Sequence, residues 1–464
     1  MIKMILENKN VFVFGTGISG IAAAKLLQRE NANIILYDGN DKIDENDIKA
    51  KLPSDFTGKI VLGVVSDDML HTLDLVILSP GVPTDLDIVN KMRDIGIPIW
   101  GEIELAYYFS KGKIVAITGT NGKTTTTTLV GEIMKTYYES VFVVGNIGIP
   151  YTEMVLQTTE NSVTVAEMSS FQLETISDFK PNVSAILNIT PDHLNRHHTM
   201  ENYIAAKVNI TLNQDQEDVC VLNYEDMELR KVGETLKTKV FYFSSLHTLD
   251  NGIYLENDEI IYSVENQKTL VCNINELNIF GRHSYENVMA AVAMSISLGV
   301  PMDFIHKAIT NFVAVEHRIE FVTTKNGVKY YNDSKGTNPD ASMKAIESMQ
   351  TPTLLIAGGY DKGSEYDEWL DAFGEKIRYL ILLGQTREKI AETARRHGFM
   401  DIIMVDSLEE AVEVCANKAN RGDSVLLSPA CASWGMFKNY EERGTLFKEY
   451  VKKLSDVEVI QPVV

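Results

Sequence analysis

Short apolar runs alternate along the chain with longer stretches of helical spacing. Near the N-terminus, VFVFGTGISGIAAAKLLQRENANIILYD reads as a strand, a glycine turn, an apolar-periodic helix and a second strand ending at Asp38, which makes a βαβ unit. A further apolar run, LDLVILSPGVP, ends in Ser79-Pro80-Gly81. Turn chemistry at a strand's carboxyl end is where an α/β sheet places its ligand loops. A first domain is therefore expected over residues 1–98. The segment KIVAITGTNGKTTTTTLVGEIM repeats the order of strand, glycine turn and helix, and VFVVG, SVTVAEM and VSAILNI follow it as strand candidates. This central block closes after the helix-like ENVMAAVAMSISLGV, which gives a second domain over residues 99–314. A third block, residues 315–464, alternates VKYYND, TPTLLIAGG, YLILLG, DIIMVD and DSVLLSPA with amphipathic stretches. The pattern predicts an α/β fold of three domains, with a mostly parallel central sheet covered by helices on both faces.

Composition narrows the function rather than the fold. Hydrophobic residues make up 45% of the 464 and charged residues 23%, an ordinary globular balance. The formal charge of -21 argues against a nucleic-acid partner, which needs a basic surface, but leaves room for a local pocket for a small anion. Cys220, Cys272, Cys415 and Cys431 form no CxxC pair, so reduced thiols are expected rather than zinc or disulfides. The opening MIKMILENKN runs into VFVFG without a cleavable apolar stretch, and no run reaches the roughly 18 apolar residues of a membrane span. A cytoplasmic protein without membrane contact is expected.

The candidate chemistry is concentrated after the second glycine turn. In Gly119-Thr120-Asn121-Gly122-Lys123-Thr124, glycines let backbone N–H groups turn toward a phosphate, Lys123 brings a charge, and Thr124 offers a hydroxyl to Mg²⁺. The helix that follows adds its N-terminal dipole. Ile117 stands where the strict P-loop has its first glycine, so this is a shortened variant. Glu167 and Asp192-His193 follow strand candidates and so fall at the sheet edge that faces this loop. Mg²⁺ prefers oxygen donors, which suits Glu167 better than a histidine nitrogen. Taken singly, His193 reads as a polar loop residue and Lys207, in YIAAKVNIT, as a solvated helix lysine. The first turn, Gly15-Thr16-Gly17-Ile18-Ser19-Gly20 with Asp38, is a GxGxxG fingerprint and by itself predicts NAD.

Taken together, GTNGKTTT, AEMSSFQLE, NITPDHLNRH, YIAAK, FGRHSYEN, EHRIE, NDSKGTNP, GGYDKG and SPACASWGMFKNYEERG resemble the Mur ligase family, in the right order over nearly the whole chain. The resemblance implies a Rossmann-like UDP-binding domain, a central P-loop-type ATPase domain and a Rossmann-like domain for the incoming amino acid. It implies that ATP lies on Gly119, Thr120, Asn121, Gly122, Lys123, Thr124 and Thr125, with Asn287 near the adenine and Arg318 and Asp333 holding the nucleotide. It further implies two Mg²⁺ sites, drawing on Thr124, Glu167 and His193, with Lys207 carboxylated by CO₂ into an oxygen-bearing anion. On this resemblance Lys123, His193 and Lys207 are the catalytic set. The diphosphate of a UDP substrate is implied at Gly15, Thr16, Gly17, Ile18, Ser19, Asp38, Ser79, Pro80 and Gly81, with Asn146 close to the muramoyl part. Lys335, Thr337, Lys362, Ser433 and Tyr440 are implied for D-glutamate, since lysines and a hydroxyl suit a dicarboxylic amino acid.

The activity so implied is ATP-dependent addition of D-glutamate to UDP-N-acetylmuramoyl-L-alanine through an acyl phosphate, in peptidoglycan precursor synthesis, by a monomer. An NAD-dependent oxidoreductase, a non-catalytic nucleotide-binding regulator and a sibling ligase for another amino acid stay open as alternatives. So does a role for His193 as a base toward the amine.

Overall fold

The computed structural model describes residues 5–146, 148–279, 281–313 and 316–455; the expected boundary at residue 315 lies outside them. Each glycine turn read from the sequence does close a strand of a parallel sheet. In the first sheet, β1 (Asn10–Phe14), β2 (Asn33–Asp38), β3 (Lys59–Leu62), β4 (Leu75–Leu78) and β5 (Ile99–Gly101) lie in the order β3-β2-β1-β4-β5, and every pair is parallel. Its last strand runs beyond Pro98 to Gly101. The order reverses between β1 and β4, so the turns after β1 and β4 flank the crevice where such sheets bind ligands.

The second sheet holds β6 (Lys113–Thr118), β7 (Val141–Gly145), β8 (Val163–Glu167), β9 (Val183–Ile186), β10 (Val219–Asn223), β11 (Lys239–Ser244), β12 (Gly252–Glu256), β13 (Glu259–Val264) and β14 (Gln267–Asn273). Their order is β14-β13-β12-β11-β10-β9-β6-β8-β7, parallel from β7 to β12 and antiparallel among β12, β13 and β14. The strands β6, β8 and β9 are buried over nearly their whole length, as continuous apolar runs in a doubly covered parallel sheet must be. In the third sheet, β15 (Glu320–Lys325), β16 (Val328–Asn332), β17 (Thr353–Ala357), β18 (Ile377–Leu382), β19 (Ile402–Met404) and β20 (Ser424–Leu427) lie in the order β15-β16-β20-β17-β18-β19. Only β15 runs against its neighbour.

The chain divides into two compact units, Met1–Leu277 with Glu286–Phe312, and Asn278–Tyr285 with Val313–Val464. The first unit holds the first two sheets, which share one apolar core: Val11, Val13 and Leu36 of the first sheet belong to the same cluster as Ile103, Tyr151, Ala116 and Ile186. In the second unit the third sheet buries Leu355 and Leu426 on one face and Leu354, Val425 and Phe447 on the other. No helix among the described residues is long and apolar enough to cross a membrane.

Candidate active site

Residues 119–122 carry the chain from the end of β6 into the helix Lys123–Tyr137. Gly122 makes the turn at φ 84°, and a Cβ there would lie 2.3 Å from Asn287 Oδ1, so glycine is required twice over. A second strand loop holds the turn from below. Thr120 N donates to Asn188 O at 3.0 Å, and Asn121 N donates to Asn188 Oδ1 at 2.8 Å. Thr120 Oγ1 donates to Thr190 O at 3.0 Å and lies 3.0 Å from Tyr203 OH. The threonines that follow are poor helix formers by propensity, but Thr124, Thr125, Thr126 and Thr127 are all buried. Thr126 Oγ1 donates to Asn287 Oδ1 at 3.3 Å, which joins the expected adenine residue to the phosphate helix.

Two lysines meet at this loop. Lys123 Nζ donates to the carbonyls of Gly119 at 2.9 Å and Thr120 at 2.8 Å, and Lys207 Nζ donates to the same Gly119 carbonyl at 2.8 Å. Lys207 is 1% exposed, with its ammonium 4.6 Å from the centre of the Tyr203 ring. Burial, followed by the charge of Lys123, pushes its pKa well below the ordinary lysine value, against a smaller opposing pull from Asp192. The solvated lysine read from the helix alone is thus corrected: Lys207 is sealed beneath the phosphate loop.

Glu167 ends β8 beside this loop and is 1% exposed. Its Oε1 accepts from Asn146 Nδ2 at 2.8 Å, while Oε2 is buried with no hydrogen-bond partner among the described residues. A buried carboxylate oxygen left unmatched is costly unless something cationic completes it. Thr124 and Glu167 therefore present the oxygen donors that Mg²⁺ takes. His193 starts the short helix Leu194–His197 at φ 55°, with its ring edge-on to Phe171 at 4.9 Å and Asp192 Oδ2 3.6 Å from Nε2. A histidine nitrogen and a lysine amine are poor Mg²⁺ donors, so neither His193 nor Lys207 as it stands offers the oxygen that a second ion would take.

The first sheet offers the other expected site of this unit. Asp38 Oδ2 accepts from Thr16 N at 3.2 Å and Thr16 Oγ1 at 2.8 Å, so the acid that would meet a ribose also braces the glycine turn. Gly15, at φ 108°, lies so close to Ser79 that a Cβ would stand 2.6 Å from Oγ. That hydroxyl is itself buried without a partner among the described residues. Gly17, Ile18 and Ser19 form the open start of the helix Ile18–Arg29, and Pro80 and Gly81 continue the turn after β4. Arg196 donates to Val82 O at 3.0 Å and to Glu174 Oε2 at 2.7 Å, which ties this turn to the helix that begins beside His193.

In the second unit, the turns after β16, β17 and β20 carry the residues expected for the amino acid. Lys335 Nζ lies 5.1 Å from the centre of the Tyr440 ring, and Lys362 Nζ 5.8 Å from that of Trp434, next to Ser433. Thr337 N donates to Lys335 O at 2.8 Å. Asp333 is buried, accepts from Ser428 Oγ at 2.6 Å, and has its pKa pushed up to about 7 by desolvation, which outweighs the neighbouring Arg318 and Arg443. Sequence reasoning missed Arg443. It is 2% exposed and donates to Ser334 Oγ at 3.0 Å, Ser334 O at 2.8 Å and Cys431 O at 3.2 Å, fastening the turn after β16 to that after β20. A lone arginine in EERG gives no signal of burial. His283 was also missed; burial, then Lys344 and Arg318, bring its pKa down to about 3.

Comparison with known proteins bears on this arrangement. A family model described as Mur ligase middle domain matches residues 117–295. The Mur ligase, glutamate ligase domain matches residues 317–431, and the Mur ligase MurD-like, N-terminal domain matches residues 9–101. A protein of Lachnoclostridium phytofermentans named UDP-N-acetylmuramoylalanine--D-glutamate ligase is 64% identical over 448 residues, covering 97% of this chain and 99% of its own. One of the same name from Thermoanaerobacter pseudethanolicus is 50% identical over 457 residues, covering 97% and 100%. Among solved structures, the MurF ligase of Thermotoga maritima in complex with ADP aligns with a TM-score of 0.60 at 19% identity, covering 97% of this chain and 96% of that one. The UDP-N-acetylmuramate-alanine ligase MurC of the same organism aligns with a TM-score of 0.58 at 20% identity, covering 96% and 99%. These two likenesses concern the fold.

Proposed function

The chain belongs to the Mur ligase family, and from that premise we propose that it joins D-glutamate to UDP-N-acetylmuramoyl-L-alanine with ATP, through an acyl phosphate, in peptidoglycan precursor synthesis. The observation that carries the choice of amino acid is the 64% full-length identity to a relative named for D-glutamate. The same match supports a UDP diphosphate on the backbone amides of the first glycine turn rather than a nicotinamide cofactor.

The first step forms a bond between the acceptor carboxylate oxygen and the γ-phosphorus, and ADP leaves with the bond electrons. In the second, the neutral amine of D-glutamate attacks the acyl carbon, inorganic phosphate departs with the electrons of the broken carbon–oxygen bond, and the nitrogen gives up one proton to solvent or base. Such phosphoryl transfer is catalysed mainly by positioning and charge neutralisation. Lys123, held at the rim of the loop by two carbonyls, supplies a fixed charge, and the start of the helix Lys123–Tyr137 supplies backbone dipoles. Magnesium held by Thr124 and Glu167, and at a second position by His193 and Lys207, would neutralise phosphate charge when bound.

Lys207 serves that second position as a carbamate. Its neutral amine adds CO₂, forming a nitrogen–carbon bond and releasing a proton, and an inward cation becomes an inward carboxylate. The burial that lowers its pKa favours the neutral amine that this addition needs. For the amino acid, Lys335 and Lys362 offer point charges to two carboxylates, and Thr337, Ser433 and Tyr440 offer hydroxyls. A cytoplasmic location and a monomer belong to the same reading.

The test is ADP release by the purified chain with Mg²⁺, ATP and UDP-N-acetylmuramoyl-L-alanine, supplied in turn with D-glutamate, L-glutamate and D-alanine. Release with D-glutamate alone is expected. Release with a different amino acid would reassign the substrate, and none with any of the three would remove the ligase reading.

A further inference from the structure

Arg318 stands between two left-handed residues, His317 at φ 66° and Ile319 at φ 43°. Glycine and asparagine take this region readily, but for a β-branched isoleucine it is strained, and such strain persists only where the surroundings over-determine it. The surroundings here hold backbone groups on both sides of the arginine. His317 N donates to Glu320 Oε2 at 3.0 Å, Ile319 N to Asp333 Oδ1 at 3.3 Å, and Lys335 N to His317 O at 3.1 Å. Lys448 holds Glu320 at 3.0 Å and pairs with Glu316.

The imidazole of His317 is the centre of this grip. It is 4% exposed, and Nδ1 accepts from Asn332 Nδ2 at 2.9 Å, which requires the tautomer protonated on Nε2. Asn332 Nδ2 also reaches Glu320 Oε2 at 3.0 Å, so one amide braces both ends of the turn. The other face of the ring rests on the helix Tyr440–Lys453 at Gly444. A Cβ there would stand 2.3 Å from Nδ1, 2.9 Å from Cε1 and 3.0 Å from Cγ, closer than any side chain can approach. Glycine inside a helix weakens it relative to alanine, so its presence in EERG needs a reason, and the seat of the His317 ring is that reason. The arginine held by this turn keeps its Nε buried without a partner among the described residues.

We propose that His317, seated on Gly444 and braced by Asn332, is a positioning residue that holds the left-handed turn carrying Arg318. The inference rests on the reading that Arg318 serves ATP.

The experiment compares the full-length chain with Gly444→Ala, His317→Asn and the double variant. It measures Mg·ADP affinity by calorimetry, KM for ATP and for the UDP-linked acceptor, kcat, and ligation by the unmodified chain in parallel. Gly444→Ala drives a methyl into the ring and is expected to weaken ADP and raise the KM for ATP about tenfold, with the acceptor KM unchanged. His317→Asn is at ease in the left-handed region but lacks the ring; it should weaken ADP by itself and make room for the methyl. Adding Gly444→Ala to it then brings no further loss. Wild-type ADP affinity in Gly444→Ala overturns the proposal, as does an equal further loss in the His317→Asn background. If Gly444→Ala alone does not fold, the double variant is expected to fold and bind like His317→Asn, and its failure to do so also overturns the proposal. Failure of the ligase reading would show separately, in the unmodified chain.

Discussion

Burial decides what Lys207 can do. A lysine on a helix with one polar face would ordinarily keep its charge in water. This one sits between Tyr203 and the Gly119 carbonyl, within the field of Lys123, and is held toward its neutral form. With ¹³C-bicarbonate, a carbamate carbonyl resonance is expected from the unmodified chain and should vanish in Lys207→Ala; its absence from both would remove the carbamate. Asp333 gives a prediction of opposite kind. Burial pushes its carboxyl up to about 7 in the folded chain from the ordinary 3.8, so between these values the native state holds the extra proton. The contribution is full below about pH 4 and is lost as pH rises through about 7, amounting to at most about 4 kcal/mol at roughly 1.4 kcal/mol per pKa unit. Urea midpoints of Asp333→Asn should lose this downward slope; an unchanged slope would place the titration elsewhere. The glycine turn between β6 and the helix Lys123–Tyr137 was legible in the sequence because strand, glycines and helix are contiguous. The burial of Lys207, Asp333 and Arg443 was not, since it is made by segments distant along the chain.

At the scale of elements, a capping box starts the short helix that follows β8 and Glu167. Ser169 Oγ accepts from Gln172 N at 3.3 Å, and Gln172 Oε1 accepts from Ser169 N at 2.9 Å, two residues beyond Glu167. Ser169→Ala should cost about 1 kcal/mol of stability, read from urea unfolding, because the helix Ser170–Leu173 loses its cap. A change within error would mean that packing alone starts that helix. The buried parallel strands β6, β8 and β9 were readable as continuous apolar runs. The antiparallel hairpins of β12, β13 and β14 escaped, because GIYLE, EIIYSV and QKTLVCN show no regular alternation of apolar and polar residues. Their turns were the available signal: Asn257-Asp258 and Glu265-Asn266 are pairs with φ between 49° and 63°, the two-residue connection that a hairpin favours.

For the whole molecule, the sheet orders explain why so many motifs converge. Within each sheet the parallel strands deliver their turns to one edge, so Gly15 and Ser79 meet in the first sheet, Glu167 pairs with Ile117 just before the loop at Gly119 in the second, and Asp333 and Ser428 meet in the third. The chemistry proposed for the loop of the second sheet is transfer of a phosphoryl group to a carboxylate. The most direct measurement uses UDP-N-acetylmuramoyl-L-alanine labelled with ¹⁸O in its carboxylate, with Mg²⁺, ATP and D-glutamate, and mass analysis of the phosphate released. An acyl phosphate passes one labelled oxygen to phosphate for each amide formed. Amide formed alongside unlabelled phosphate would contradict it.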